Sequence, residues 1–298
     1  MIQRNKIDGI VLLDKPSMMS SNQAIQKIKR EFNLNKIGHT GTLDPLATGL
    51  LPLCLGKATR IARFLIDSDK TYHATIQLGE KTSTGDKEGE VIETSSVDLP
   101  GDSEVEQIIQ SFVGNQEQIP PMYSALKFKG QRLYKLAIKG IDVPRKSRSI
   151  KIHSIDLLSF GKNKLDLVIK CSKGTYIRTL AEDIAREFQS VGHIDQLRRL
   201  NISCFGTQEM HSMKKITSSD VLDAFLLPID APLGHLKKIG ISNSESSMFC
   251  NGLPISKDQN NPQSDLYIRV YDDIGTFLGL GQHSNDCLKP RIVFKSLN

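Results

Sequence analysis

The sequence predicts an α+β fold: a large mixed, mainly antiparallel sheet, with a small β-barrel at the C-terminal end. Three observations carry this. Strand and helix patterns mix along the chain without the strict βαβ alternation of a parallel α/β fold. Period-two alternation is clear where Tyr72, Ala74, Ile76 and Leu78 interleave with Thr71, His73, Thr75 and Gln77. The tail is rich in short strand patterns separated by glycines and turn residues. A chain of 298 residues can bury a sizeable core, enough for one large domain over 1–236 and a small one over 237–298.

The elements follow in order. Gly9 to Leu13 is a buried apolar run ended by Asp14-Lys15-Pro16. Ser20 or Ser21 caps a helix in which Ala24, Ile25, Ile28 and Phe32 recur at helical spacing. Leu50 to Leu55 reads as a buried strand. Ala58 to Leu65 reads as a helix with Ile61, Phe64 and Leu65 inward and Arg60 and Arg63 outward. Ser103 and Glu106 make a capping box for a helix through Phe112. Ile150 to Phe160 and Leu165 to Cys171 are strands, the second with Leu165, Leu167, Ile169 and Cys171 on one face. Ile177, Leu180, Ala181, Ile184 and Phe188 mark an amphipathic helix. Beyond about Ile239, the segments Leu266 to Tyr271, Thr276 to Gly281 and Arg291 to Phe294 are strands. Ser95 to Ser103 and Ser256 to Asp265 read as exposed loops, and no repeat or heptad is visible.

Composition narrows the function classes. Lys+Arg 39 against Asp+Glu 33 gives +6, which favours a polyanionic partner. Tryptophan is absent, which argues against a single-strand stacking platform. Cys54, Cys171, Cys204, Cys250 and Cys287 are scattered and never form CxxC, and the histidines show no HxxxH pair. No metal is therefore expected, and the cysteines read as reduced packing residues of a cytoplasmic protein. Residues 1–6 lack a signal-peptide core, no apolar run is long enough to span a bilayer, and a monomer is expected because no interface stripe stands out.

Two clusters carry chemistry. Gly38-His39-Thr40-Gly41-Thr42-Leu43-Asp44-Pro45-Leu46-Ala47-Thr48-Gly49 surrounds one carboxylate with glycines that let backbone turn and ligand approach. Such a carboxylate suits a nucleophile or general base, although a solvated turn with a capping aspartate has the same composition. In Ser172-Lys173-Gly174-Thr175-Tyr176-Ile177-Arg178-Thr179, Thr175 is placed to cap a helix and Arg178 lies in the first turn. A cation there opposes the helix dipole, so a carboxylate or phosphate partner would explain it. Tyr72 faces the core, with substrate stacking as the sharper alternative. His39 is a loop histidine able to stack or donate, and Lys15 is a strand-end lysine within reach of phosphate. Lys127, Lys129, Arg132, Lys135, Lys139, Arg145, Lys146 and Arg148 form a basic tract that reads as a nucleic-acid face or a wet surface. Gly56-Lys57-Ala58-Thr59 lacks the upstream glycine and following hydroxyl of a phosphate loop, which disfavours nucleotide-dependent enzymes.

Six motifs occur together in order: Asp14-Lys15-Pro16 with Ser20-Ser21, the Gly38–Gly49 stretch, Asp69-Lys70-Thr71-Tyr72, Ile119 to Lys127, Lys173 to Arg178, and Leu197-Arg198-Arg199-Leu200. Together they resemble the TruB family of tRNA pseudouridine synthases over most of the first 230 residues. Ser246 to Gly252 and Gly279 to Gly281 resemble the small PUA-type RNA-binding domain of bacterial members. The resemblance implies isomerisation of uridine to pseudouridine at position 55 in the T-loop of tRNA, without cofactor or metal, and no membrane or DNA partner. It matches Asp44 to the catalytic aspartate, Arg178 to its paired arginine, and Tyr72 to the tyrosine that stacks on the base and takes part in proton removal. It matches His39 to a histidine holding displaced loop bases, Leu197 to a pocket wall, and Asp86 to a carboxylate near the arginine. Lys15 and Tyr176 resemble pocket supports. Arg178 is expected to lower the Asp44 pKa. Met18 stands where the family has glycine. A non-catalytic tRNA-folding chaperone is the competing function, and it does not require the trio Asp44, Tyr72 and Arg178. Deleting the tail from about Ile239 is expected to weaken RNA binding and spare the chemistry.

Overall fold

The computed structural model describes residues 5–219, 222–256, 267–284 and 287–294, so most of the polar run from Ser256 to Asp265 lies outside them. The main sheet grows from strongly patterned strands. Gly9–Lys15 pairs antiparallel with Thr48–Leu55, and Lys70–Leu78 with Lys164–Cys171, which in turn pairs with Arg148–Gly161. Across the sheet the order is His211–Ser212, Gly9–Lys15, Thr48–Leu55, Gly192–Ile202, Lys70–Leu78, Lys164–Cys171, Arg148–Gly161 and Gly114–Gln118, with Ile37–His39 beside Thr48–Leu55. Two pairings are parallel, Gly9–Lys15 with His211–Ser212 and Thr48–Leu55 with Gly192–Ile202; the others are antiparallel. The sheet is mixed and mainly antiparallel, as the patterning predicts.

Alternation divides the side chains of the first strand. Val11 and Leu13 enter the larger core, under the helices Ser21–Glu31, Asp102–Ser111 and Ile177–Glu187. Ile10 and Leu12 enter a second core on the opposite face. The run Gly9 to Leu13 is continuously apolar because both faces of this strand are covered. Ser20 caps the first helix: its hydroxyl accepts from the Gln23 N–H and the Gln23 side chain accepts from the Ser20 N–H.

Several expected details differ. The segment Ala58 to Leu65 is broken at Ile61 into a 3₁₀ turn, Gly56–Arg60, and a short helix, Ala62–Ile66. Helix Asp102–Ser111 starts one residue after Gly101 with no side-chain cap, so Ser103 sits inside its first turn. Thr175 does not cap Ile177–Glu187: its hydroxyl donates to the Ser172 carbonyl and Tyr176 is the capping residue. Gly49 adopts φ +98°, and a Cβ there would lie 2.3 Å from the Arg199 carbonyl oxygen. Only glycine permits this approach of the two parallel strands at the rim of the Asp44 loop.

The tail forms a five-stranded curled sheet, ordered Lys238–Gly240, Tyr267–Tyr271, Phe277–Ser284, Cys287–Val293 and Ile255–Ser256, a half-barrel. Ile268, Val270, Leu278 and Leu288 pack with Phe249 in its own core. Leu280, Ile292 and Phe294 instead join the second core of the main sheet with Ile10, Leu12 and Ile61. The Lys57 ammonium donates to the Phe294 carbonyl at 2.7 Å, and the Arg63 guanidinium lies 4.8 Å from the centre of the Tyr267 ring. The tail is built into the large domain rather than hung from it.

Candidate active site

The chain concentrates charge where the Gly38–Gly49 loop meets the start of helix Ile177–Glu187. Arg178 is 5% exposed and reaches back to Asp44. Its Nη2 donates to Asp44 Oδ1 at 3.2 Å, and its Nε lies 2.9 Å from Oδ2, off the line of a hydrogen bond. Nη1 donates to the Thr84 carbonyl at 2.7 Å, and Nη2 to the Tyr123 carbonyl at 2.6 Å. Asp86 lies farther off, 3.8 Å from Nη1. Thr84 Oγ1 donates to Asp86 Oδ1 at 2.6 Å, which fixes that carboxylate. The arginine in the first helical turn therefore has the carboxylate partner its position called for.

Two cavities share the Asp44–Arg178 pair. The narrower, about 260 Å³, is lined by Asp44, Tyr72, Tyr176, Arg178, Leu197 and Arg199. The wider, about 720 Å³, includes His39, Asp86, Tyr123 and Arg132. Seven of the eight residues singled out from the sequence thus surround one cleft. The eighth, Lys15, lies beneath it, fully buried. Its Nζ donates to the carbonyls of Pro16, Met19 and Pro45 at 2.8, 2.5 and 3.1 Å. All three ammonium donors are used on backbone. Lys15 therefore supports the loop, tying down the residue after Asp44, and has no donor left for phosphate.

The remaining side chains are fixed by their elements. Tyr72 is 9% exposed on Lys70–Leu78, directly across from Arg199 on Gly192–Ile202. The Tyr176 backbone is clamped by Gln118, which accepts from its N–H at 2.8 Å and donates to its carbonyl at 3.1 Å. The Arg148 guanidinium lies 5.9 Å from the centre of the Tyr176 ring. His39 Nδ1 accepts from the Gly41 N–H at 3.2 Å, which leaves the proton of the neutral ring on Nε2.

Burial dominates the electrostatics. It pushes the Asp44 carboxyl above the usual carboxylate range; Arg178 pulls it down and Asp86 adds to the rise. The expected lowering by Arg178 is present but outweighed by desolvation. A third of the Asp44 side chain still opens to the cavity, with protein crowding its other sides. Burial lowers Lys15 to about 8, with Asp44 opposing. It also lowers His39, helped by Arg199 and Arg132, so that ring is neutral at pH 7. The Tyr72 and Tyr176 phenols are both raised by burial.

Four contributors were not singled out from the sequence. Arg199 was quoted only within a motif, yet it is the largest fully buried side chain among the described residues. The Thr84 and Tyr123 carbonyls grip Arg178 through backbone atoms, which leave no trace in residue type. Lys70 lines the narrow cavity and donates to the carbonyls of Leu65, Ile66 and Ser68 at the end of helix Ala62–Ile66. Lys127, Lys129, Arg132, Lys135 and Lys139 of the basic tract are exposed. Among the described residues no helix is long and apolar enough to cross a membrane.

Comparison with known proteins places this arrangement. A model described as "TruB family pseudouridylate synthase (N terminal domain)" matches residues 29–177. One described as "tRNA pseudouridylate synthase B C-terminal domain" matches 178–234, and "Pseudouridine synthase II TruB, C-terminal" matches 238–294. The tRNA pseudouridine synthase B of Methylobacillus flagellatus is 44% identical over 297 residues, covering 99% of this chain and 97% of its own. That of Hydrogenovibrio crunogenus is 42% identical over 294 residues, covering 98% and 95%. In fold, the chain is similar to the crystal structure of a Cbf5-Nop10-Gar1 complex, with a TM-score of 0.73 at 22% identity over 97% of this chain and 85% of that one. With near-full-length relatives above 40% identity, and family models matching residues 29–177 and 178–234, the chain belongs to the TruB family of pseudouridylate synthases.

Proposed function

We propose that this protein isomerises uridine to pseudouridine in tRNA, at position 55 of the T-loop, with Asp44 as the catalytic carboxylate. The observation that carries the reading is the buried Asp44–Arg178 pair opening into a cavity of about 260 Å³ walled by Tyr72 and Leu197. Such a cavity admits a single base and not a duplex. The target must therefore be flipped out of its loop, at a cost of a few kcal/mol. The wider cavity, with neutral His39 at its edge, receives the displaced neighbours.

In the reaction, the N1–C1′ bond breaks, the base turns over, C5 bonds to C1′, the C5 proton leaves and N1 gains a proton. The Asp44 carboxylate is regenerated. Its ionised form is needed whether it bonds C1′, adds to the uracil ring or drives elimination through a glycal. Arg178 aims it and keeps it ionised against the cost of burial. Tyr72 stacks on the free uracil. Its oxygen takes the C5 proton as its own hydroxyl proton passes on to N1, so the phenol emerges unchanged. Leu197 and Tyr176 close the sides of the cavity, and Asp86 holds Arg178 from behind.

Recognition rests on T-arm shape and phosphate contacts, because the deep groove of an RNA stem is poorly readable. The exposed lysines of 127–139 and the unit over 237–298 supply the backbone contacts. The protein works as a cytoplasmic monomer. The test is incubation with an unmodified T-arm stem-loop and with full tRNA, followed by carbodiimide labelling and primer extension. A stop at the T-loop uridine that disappears in Asp44→Asn, with tRNA still bound, is the expected result. Binding with no stop anywhere would refute the reading.

A further inference from the structure

Arg199 takes no part in the chemistry proposed above, yet its position is unusual. It is 1% exposed, and among the described residues no carboxylate pairs with it, whereas Arg178 and Arg198 pair with Asp44 and Asp14. A buried guanidinium without a counter-charge is costly, so its partners matter. Nε donates to the Leu50 carbonyl at 2.6 Å, and Nη2 to the Gly41 carbonyl at 3.3 Å. The Tyr72 side chain lies directly across the strand pair and on the same wall of the narrow cavity.

A guanidinium only donates and a phenol oxygen can accept, so a cross-strand pair of this kind is suited to a bond from Arg199 to the Tyr72 oxygen, with the phenol proton left for the cavity that both residues line. We propose that Arg199 is the positioning residue for Tyr72: it fixes the phenol oxygen beside the base and stabilises the negative charge that gathers on it during proton transfer. The step is the one given above. The C5 proton arrives on the Tyr72 oxygen, the hydroxyl proton leaves to N1, and the guanidinium keeps all its protons. A cation facing a neutral phenol across a buried strand pair contributes most when that phenol becomes partly anionic. This inference rests on the proposed role of Tyr72.

The test uses the full chain and unmodified tRNA at saturation, under single turnover. Arg199→Gln is expected to slow isomerisation by roughly ten- to a hundredfold while tRNA affinity stays within about twofold. In a Tyr72→Phe background the same change should cost less than about twofold, because its effect passes through the hydroxyl. Fluorotyrosine at position 72, a more acidic phenol, should recover part of the rate lost in Arg199→Gln. If Arg199→Gln melts earlier than the parent, Arg199→Lys, which keeps the charge, goes through the same comparisons. A full additional loss in the Tyr72→Phe background, an equal fall in affinity, or no recovery with fluorotyrosine would each overturn the proposal. Failure of the parent protein to isomerise tRNA would instead defeat the functional reading itself.

Discussion

Replacing Arg178 with methionine removes the centre of the site while keeping side-chain length. The wild-type guanidinium is 5% exposed and serves Asp44, the Thr84 carbonyl and the Tyr123 carbonyl. Breaking a buried ion pair on one side costs about 3–5 kcal/mol, because the other charge is left uncompensated. Asp44 has a third of its side chain open to the cavity, so water screens part of that charge. The lower end applies, about 3 kcal/mol, and corresponds to a fall in melting temperature of roughly 5 °C for a chain of this length. The pH dependence has a definite sign. The Asp44 pKa is raised by burial and held back by Arg178. The reactive carboxylate forms as pH rises through that value, so turnover has an acid limb above the ordinary aspartate range. Losing Arg178 raises the pKa further and moves the limb to higher pH. The folded protein then holds the Asp44 proton more tightly than the unfolded chain does. The destabilisation of Arg178→Met is therefore largest above the folded pKa and shrinks as pH falls toward the unfolded value. Thermal melts across pH, paired with single-turnover rates, read both effects. An acid limb that stays put or moves lower, or a destabilisation that grows on acidification, would refute the reasoning.

Three further outcomes are expected. Gly49→Ala would place a Cβ 2.3 Å from the Arg199 carbonyl oxygen at φ +98°, and should cost about 2–5 kcal/mol in a denaturant titration; an unchanged midpoint would contradict the tight strand contact. Met18 holds φ 58° and is 77% exposed, so its left-handed backbone is strained without compensating burial. Met18→Gly should stabilise by about 0.5–1 kcal/mol after the entropy cost of glycine, and a drop in melting temperature would count against this. Ending the chain at residue 236 should lower stability by several kcal/mol, because Ile10, Leu12 and Ile61 lose Leu280, Ile292 and Phe294 from their core. A truncated protein that melts with the full chain would show the tail to be separable.

That last outcome departs from what the sequence led one to expect. The tail strands were legible from alternation and glycines, but a core shared between Leu12 and Phe294 arises from long-range packing that no local pattern encodes. Strands such as Lys70–Leu78 were legible because the alternating Tyr72, Ala74, Ile76 and Leu78 are all buried. Gly192–Ile202, the central strand, was not: register shifts near Ile194 and Arg199 break its alternation, and it buries an arginine. Gly114–Gln118 escaped because it is a polar edge strand. In the site, Asp44 and Arg178 stood out because each residue type was unusual for its local setting. Arg199 did not, and Lys15 was singled out without its burial being foreseen, because nothing in a sequence distinguishes a buried cation bound to carbonyls from a solvated one.

The place of Gly192–Ile202 between Thr48–Leu55 and Lys70–Leu78 has a consequence for how the molecule is made. A ribosome that has released Leu78 must add 114 residues to reach Gly192, the start of the strand that joins these two halves, roughly 6–23 s at ordinary elongation rates. Until then the apolar strand Lys70–Leu78 lacks this neighbour, and an unpaired edge is a template for the wrong one. Asp44 and Arg178, 134 positions apart, can meet only once the chain between them has been made. The cleft is thus built from contacts of high sequence separation, a topology that slows folding.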